Sequence, residues 1–124
     1  VKLPYLNDQH KKRRENAAYY NKHLSSDYTT PFIQEGYSMI YNQYTLRSSK
    51  RQCVLDTLKE SDIGSVIYYP VPLHLQACFA DLGYTEGDMP EAEKAAQEVF
   101  SIPIYPELSQ EEQAYVVDVL NSIA

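Results

Sequence analysis

The densest group of polar and aromatic side chains lies in residues 68–74 (YYPVPLH), which hold Tyr68, Tyr69 and His74. Tyrosine combines an apolar ring with a polar tip, which suits an interface or a polar ligand pocket. Because proline fixes φ, Pro70 and Pro72 would hold the backbone on an extended path that aims these side chains. The segment also follows a predicted strand, a usual position for ligand contacts in α/β proteins. A rigid loop whose tyrosines only cover the core is equally consistent with these residues.

Other chemistries find little support in the sequence. His74 and Cys78 stand four residues apart, which could supply half of a zinc site, but no second pair has ligand spacing, so we predict no metal. A nucleophilic Cys–His pair would need an oxyanion hole and an orienting carboxylate, and nothing in the pattern places either. The four glycines form no phosphate-binding motif. Three acidic residues in predicted loops are expected to be solvated: Asp27, Glu35 and Asp62.

Composition narrows the class of protein further. The 124 residues carry a net charge of −6, which argues against non-specific nucleic-acid binding, and no apolar run is long enough to span a membrane. The basic run at residues 11–14 (KKRR) is expected to be the solvated side of a helix. Cys53 and Cys78 are expected to be reduced thiols of a cytoplasmic protein, although one disulfide is arithmetically possible. Twelve tyrosines and no tryptophan suit an interface or a polar ligand pocket.

Periodicity and end signals predict the elements that position this segment. Capping patterns occur at Ser49 with Gln52, at Asp88 with Glu91, and at Ser109 with Glu112, and glycines 64 and 83 mark helix ends. The predicted order is a helix from Asn7 or Asp8 to about Leu24, a strand over 38–47, a helix over 49–61, a strand over 65–69, a short helix over 73–82, a helix after 88, a short strand over 100–104 and a last helix after 109. Three strands with helices between them predict an α/β fold, a two-layer sandwich with helices on one sheet face.

Four short sequence strings resemble those of a known family, and they follow one another along the chain in the family's order and spacing. Residues 41–47 (YNQYTLR), 68–76 (YYPVPLHLQ) and 103–108 (PIYPEL) resemble the C-terminal portion of the DegT/DnrJ/EryC1/StrS family. These are pyridoxal-phosphate-dependent aminotransferases that act on keto sugars, mostly nucleotide-linked, in sugar and polysaccharide biosynthesis. Residues 13–20 (RRENAAYY) are similar to the helix that connects the family's large and small domains. The resemblance implies a connecting helix over 1–24 and, over 25–124, the small C-terminal α/β domain of the aspartate-aminotransferase-like fold, type I.

The resemblance also implies what this chain lacks. The family's large domain carries the Schiff-base lysine and the cofactor contacts, and it precedes the portion seen here. Lys22, Lys59 and Lys94 match no cofactor-lysine motif, so the chain alone is expected to be inactive. In the whole enzyme, a cytoplasmic homodimer, glutamate is the expected donor that aminates the cofactor, which then aminates the keto sugar.

The site residues implied by the resemblance have binding roles and no catalytic ones. Tyr68, Tyr69 and His74 are expected at the mouth of the cleft, near the sugar or its nucleotide. Asn42 and Gln43 are expected to add polar contacts, whereas Tyr44 is assigned to the core. Many family members have His where this chain has Asn42 and Tyr68, which leaves the identity of the sugar open.

The alternative is a free-standing ligand-binding or dimerisation module of the α+β class, without catalysis, whose tyrosines form an interface. The opening residues 1–4 offer no self-contained beginning, which favours the enzyme interpretation. We therefore expect the isolated chain to expose an apolar patch where the large domain would dock, and to self-associate.

Overall fold

The computed structural model describes residues 1–123. Its helices are α1 (Leu6–His23), α2 (Arg51–Glu60), α3 (Pro90–Glu98) and α4 (Gln110–Asn121), and its strands are β1 (Tyr44–Arg47) and β2 (Val99–Ile102). Three 3-10 segments occur at Leu3–Tyr5, Leu73–Leu75 and Ala77–Leu82. None of the helices described is both long and apolar enough to cross a bilayer.

The sheet is smaller than the sequence predicts. β1 and β2 pair antiparallel, with Tyr44 opposite Ile102, and single bridges flank them at Thr29–Arg47 and Val66–Ser101. The predicted strand over 65–69 is therefore wrong apart from Val66; the two prolines that follow have no N–H groups with which to extend the ladder. The α/β fold class is confirmed, with two strands in place of about three.

The predicted strand over 38–47 is also shortened, to its last four residues. Tyr41 adopts a left-handed backbone with φ of 49°, which interrupts the extended path ahead of β1. Alternation along the strand predicted over 38–47 places Ile40 on the same side as Tyr44 and Leu46, but Ile40 is 47% exposed. Tyr44 and Leu46 are fully buried, so the alternation expected of a half-buried strand, and the core assignment of Tyr44, are confirmed within β1.

One core joins the sheet to α1, α2 and α4. Its largest fully buried side chains are Tyr20, Tyr44, Phe100, Leu46, Leu58 and Leu120. Apolar periodicity predicts inward faces on three helices, at Ala17, Tyr20 and Leu24 of the first, at Val54, Leu55 and Leu58 of the second, and at Val116, Val117, Leu120 and Ile123 of the last. These side chains are buried, except for Leu24, Leu55 and Ile123, which are partly buried against the core. Burying a large side chain of this kind contributes roughly 1.5–3 kcal/mol each.

Of the three capping patterns predicted from the sequence, one is formed in the structure. At Ser109 the box is complete: its hydroxyl accepts from the Glu112 N–H, and the Glu112 carboxylate accepts from the Ser109 N–H at 2.8 Å. The box at Ser49 is wrong, because the hydroxyl of the preceding Ser48 accepts from the N–H of Lys50 and α2 begins one residue later. α1 begins at Leu6, so the predicted caps Asn7 and Asp8 lie inside its first turn.

The third capping pattern, at Asp88 and Glu91, is also wrong. Asp88 accepts from the N–H of Thr85, and α3 begins at Pro90 without a side-chain cap on its first residue. Gly83 closes the third 3-10 segment, Ala77–Leu82, as predicted, with φ of 78°. Gly64 does not end α2; Asp62 takes the left-handed conformation there, with φ of 57°.

Candidate functional site

Three of the five predicted site residues line one small groove. Asn42, Gln43 and Tyr68 face a hollow of about 190 Å³ beside the Val66–Ser101 bridge. Asn42 and Gln43 reach it from the turn ahead of β1, and Tyr68 reaches it from the segment that leaves the sheet after Val66. We call this hollow the strand-edge groove; it offers two amide side chains and one phenol to a ligand.

A second groove, which we call the alanine groove, adjoins the first through Tyr68. It encloses about 640 Å³ between the 68–76 segment and α3, with Tyr68, Tyr69 and Leu73 among its walls and Ala92 and Ala95 on its floor. The two phenol rings stand edge to face with centroids 5.9 Å apart, and the peptide bond between them is cis. Tyr68 is 41% and Tyr69 72% exposed, so both phenols are available to a ligand. The small side chains of α3 leave the groove open.

His74, the fifth predicted residue, lies apart from both grooves. It is 6% exposed, and its Nε2 lies 2.9 Å from Oε1 of Glu93 on α3. The Glu93 carboxylate also accepts from the backbone N–H groups of Gly87 and Met89, at 2.9 Å and 3.3 Å. Desolvation acts to raise the pKa of Glu93, but its hydrogen bonds with His74 and with these two N–H groups lower it below the ordinary value. The ring of Tyr84 meets the His74 imidazole edge to face.

Glu93 is the residue that sequence reasoning missed. The pattern at residues 88–91 directed attention to Glu91, which is exposed. The available signal was a second acid in the first turn of a helix that begins with Pro90, behind a polar turn whose N–H groups need acceptors. The buried partner, His74, could not be found from spacing because it lies 19 residues earlier in the chain.

A larger hollow of about 680 Å³ runs along α2 and is lined by Gln52, Asp56 and Lys59, among others. It contains none of the predicted site residues. We place the candidate site at the two smaller grooves because they bring the exposed phenols and amides together.

The described residues do not fit an anchor for pyridoxal phosphate. The cofactor is held through a Schiff base to a lysine amine, which requires an enclosed pocket around the reacting nitrogen. Every lysine within residues 1–123 is exposed, including Lys22, Lys59 and Lys94 on the outer faces of their helices. This chain therefore offers binding and positioning groups, without an anchor for the cofactor among residues 1–123.

The remaining candidate groups form no site. Among residues 1–123, no cluster of three or more His, Cys, Asp or Glu side chains could hold a metal ion. Cys53 and Cys78 are free and exposed, and Cys78 contacts Gln76 instead of His74. The three loop acids, Asp27, Glu35 and Asp62, are exposed.

Comparison with solved structures gives a close match to an aminotransferase. The chain superposes on the crystal structure of DesV from S. venezuelae with a TM-score of 0.95 and 27% identity, covering 99% of this chain and 34% of DesV. A DegT DnrJ EryC1 StrS aminotransferase from Brucella abortus gives a TM-score of 0.90 at 31% identity, over 98% of this chain and 33% of that one.

Sequence comparison gives relatives that include a transaminase. The chain is 46% identical to a pleiotropic regulatory protein of Geobacillus stearothermophilus over 95% of its own length and 33% of that protein. It is 32% identical to a dTDP-3-amino-3,6-dideoxy-alpha-D-galactopyranose transaminase of Aneurinibacillus thermoaerophilus, over 98% of this chain and 33% of the transaminase. The chain thus spans about a third of the length of the relatives that it matches.

The family model matches nearly the whole chain. The model of the DegT/DnrJ/EryC1/StrS aminotransferase family covers residues 1–121, which confirms the resemblance expected from the four strings. Because that match includes both grooves and all four helices, the chain belongs to the DegT/DnrJ/EryC1/StrS aminotransferase family.

Proposed function

We propose that this chain is the C-terminal part of a pyridoxal-phosphate-dependent aminotransferase that aminates a nucleotide-linked keto sugar. The observation that carries the proposal is the family match over residues 1–121 in a chain that spans a third of its transaminase relatives. One further relative is a UDP-N-acetyl-3-dehydro-alpha-D-glucosamine 3-aminotransferase of Acidithiobacillus ferrooxidans, 35% identical over 97% of this chain. Names of this kind support a nucleotide-linked substrate.

In this proposal the chain supplies a connecting helix and a small domain. Residues 1–24 are the end of the connecting helix, and residues 25–124 are the small domain. The exposure of Leu3, Tyr5 and Leu6 supports a partner for the first 3-10 segment and the start of α1, because the first buried residue of α1 is Ala17. The cofactor lysine is then supplied by another part of the enzyme, as the exposed lysines of this chain suggest.

We propose that the two grooves form the wall of the active-site cleft that binds the keto sugar. Tyr68, Tyr69, Asn42 and Gln43 hydrogen-bond sugar hydroxyls or phosphate oxygens, and a phenol ring face stacks on the sugar or base. These residues bind and orient the substrate, and none of them transfers a proton to carbon. A direct contact between His74 and the substrate stays a prediction; in the structure its Nε2 pairs with Glu93.

Three further features belong to the proposed whole enzyme. Glutamate is the proposed amino donor, and a homodimer is the proposed assembly. The cytoplasm is the proposed location, which two free, exposed cysteines support because such thiols persist in a reducing compartment.

The first test is the gene sequence upstream of the codon for Val1. A continuous frame encoding a large α/β domain with a candidate cofactor lysine supports the proposal. The encoded protein is then purified and assayed for amino transfer from glutamate to UDP- and dTDP-linked keto sugars. A start signal just ahead of Val1, together with no transamination, would favour the non-catalytic binding module instead.

The groove residues are tested in that whole enzyme. Removing one phenol hydroxyl, in Tyr68→Phe or Tyr69→Phe, is expected to raise KM for the keto sugar by about five- to tenfold, the effect of one lost hydrogen bond. Tyr115→Phe is the matched control, since Tyr115 is half exposed on α4 and lines neither groove. An unchanged KM in both groove variants would remove the tyrosines from the substrate site.

A further inference from the structure

We infer that Glu93, acting through His74, is the residue that positions Tyr68, which lines both grooves, and Tyr69, which lines the alanine groove. The inference rests on the function proposed above insofar as these two tyrosines contact a keto sugar. Its structural part, that Glu93 holds the segment 68–88 in place, stands on hydrogen bonds and burial within residues 1–123.

The hydrogen bonds of the segment 68–88 converge on one carboxylate. Inside the segment the bonds are local, such as Leu75 N–H to the Pro72 carbonyl at 3.0 Å and Asp88 N–H to the Thr85 carbonyl at 3.2 Å. Among the described residues, those that leave the segment all go to Glu93, from His74 and from the Gly87 N–H. A segment of 21 residues is therefore joined to α3 by one side chain.

The burial of side chains also indicates that the segment 68–88 is held at one point. Between Ile63 and Ala96, His74 is the one buried residue, and its side chain is 4% exposed. The residues around it in both directions are exposed or half-buried, so apolar packing does little to fix their position. The imidazole ring is thus the anchor of the segment, and Glu93 fixes the ring.

The link from His74 back to the tyrosines is stiff. Four residues separate Tyr69 from His74, and two of them, Pro70 and Pro72, have fixed φ angles. A displacement of the His74 ring is therefore carried to both phenols instead of being absorbed by the chain. The same displacement would widen the alanine groove, because the floor of that groove lies on the helix that carries Glu93.

The charge on Glu93 suits this role. Oε1 pairs with His74 Nε2 and accepts from two backbone N–H groups, and Oε2 accepts from Gly87 at 3.0 Å. Hydrogen bonds to an ionised carboxylate are shorter and stronger than neutral ones. A glutamine at this position keeps one acceptor oxygen and loses the charge, so it should retain part of the positioning.

Hydrogen–deuterium exchange on the 124-residue chain tests the anchor without any assay of activity. In Glu93→Ala, the amides of Leu75, Gln76 and Phe79 are expected to exchange about tenfold faster, while amides of β1 and β2 stay protected. Glu93→Gln should fall between Glu93→Ala and the wild type. Glu91→Ala, an exposed acid on the same helix, should match the wild type. If Glu93→Ala unfolds the whole chain, the exchange rates of the same amides in Glu93→Gln decide whether Glu93 is the anchor. Unchanged exchange at residues 75–79 in the folded variant would overturn the inference.

A double-mutant cycle in the whole enzyme separates positioning from direct contact. If Glu93 acts through His74, the variants Glu93→Ala, His74→Ala and their combination should raise KM for the keto sugar by similar factors, with kcat changed less. Factors that multiply in the double variant would mean that His74 touches the substrate on its own, which would overturn positioning. Absent transamination by the wild-type enzyme would contradict the proposed function alone, since the exchange experiment still decides whether Glu93 is the anchor.

Discussion

Arg13 joins the first helix to two backbone carbonyls that are distant in sequence. Its Nη1 donates to the carbonyl of Ile104 at 2.7 Å and to that of Tyr41 at 3.3 Å. A guanidinium can satisfy several carbonyls at once while its stem packs along the helix. The expectation that residues 11–14 are a solvated helix side is therefore wrong for Arg13, although Lys11, Lys12 and Arg14 are exposed.

Replacing Arg13 should destabilise the chain because two carbonyls lose a charged donor. We expect Arg13→Ala to lower the free energy of unfolding by about 1–3 kcal/mol in urea titrations followed by circular dichroism. Its neighbour provides the control: Arg14→Ala should stay within about 0.5 kcal/mol of the wild type. Equal effects of the two substitutions would show that the bonds of Arg13 contribute nothing specific.

At the scale of elements, the starts of α2 and α4 differ in a way that their sequences do not show. Ser49 with Gln52 and Ser109 with Glu112 carry the same spacing, yet only the second pair closes a box. Ser109 has the extended backbone of a capping residue, with φ of −73° and ψ of 160°. Ahead of α2, Ser48 is buried at the end of β1, and its hydroxyl accepts a hydrogen bond from the N–H of Lys50.

The two serines should therefore respond differently to the same substitution. Ser109→Ala should reduce the free energy of unfolding by about 1 kcal/mol, because the N–H groups at the start of α4 lose their acceptor. Ser49→Ala should leave stability unchanged. Thermal denaturation of the two variants side by side measures the difference, and a larger loss at Ser49 would contradict the cap assignment.

The same box should give the chain an acid-dependent contribution to stability. Hydrogen bonds from the backbone and hydroxyl of Ser109 lower the pKa of Glu112 below its ordinary value of 4.5. A lowered pKa in the folded chain stabilises it above the ordinary value, and that stabilisation is lost as pH falls through the folded value. Urea midpoints measured downward from pH 6 should fall less steeply in Glu112→Gln than in the wild type. Parallel pH curves for the two proteins would exclude this contribution.

Structural features that depend on neighbouring residues could be predicted from the sequence, whereas features that depend on distant residues could not. The α4 box, the Gly83 turn and the buried faces of α1, α2 and α4 follow from neighbouring residues and were predictable. The loss of the strand at 65–69 and the start of α2 depend on what packs beside them. At the site, the cluster at residues 68–74 stands out in the sequence, whereas Asn42 and Gln43 came only from the family resemblance. The anchor at Glu93 needed the fold, because 19 residues separate it from His74.

At the scale of the whole molecule, three buried tyrosines donate hydrogen bonds from the core, two of them to backbone carbonyls and one to a side chain. The hydroxyl of Tyr20 donates to the Pro103 carbonyl at 2.9 Å, that of Tyr28 to the Leu120 carbonyl at 2.7 Å, and that of Tyr44 to the Asn21 side chain. Burial raises the pKa of Tyr28 to about 12 and raises the pKa values of Tyr20 and Tyr44 further. The core is thus built around phenols that must stay protonated.

These tyrosines should make the fold sensitive to alkali. A raised pKa in the folded chain gives stability that is complete below the ordinary tyrosine pKa of 10.0 and is lost as pH rises through the folded value. Urea midpoints should therefore decrease steadily from pH 10 to pH 12. Tyr28→Phe should be less stable at pH 8 but lose less of its stability over that interval. Equal alkaline losses in both proteins would show that Tyr28 does not contribute.

The exposed apolar side chains should make the isolated chain associate. Phe32 is 88%, Tyr37 73%, Leu73 65% and Leu82 65% exposed, which is unusual for side chains of this size on a free-standing domain. We expect sedimentation coefficients that rise with concentration and enhanced fluorescence of a dye that binds apolar surface. Phe32→Ser should reduce both signals. A concentration-independent monomer that binds no dye would contradict the proposed docking of this chain against a larger partner.

The contact between α1 and α4 has a consequence for synthesis on the ribosome. Asn121 accepts from the N–H of Ser25 and donates to the carbonyl of His23, and Tyr28 bonds to Leu120, 92 residues later in the chain. Apart from the single bridge between Thr29 and Arg47, β1 likewise has no partner until Val99–Ile102 has been made. A nascent chain therefore carries its first helix and strand without a complete core until β2 and then α4 have been translated and have left the exit tunnel. Translation that stops before β2 releases a polypeptide in which Tyr44 and Leu46 lack the strand that they pair with, and cellular proteases would meet it as an unfolded substrate.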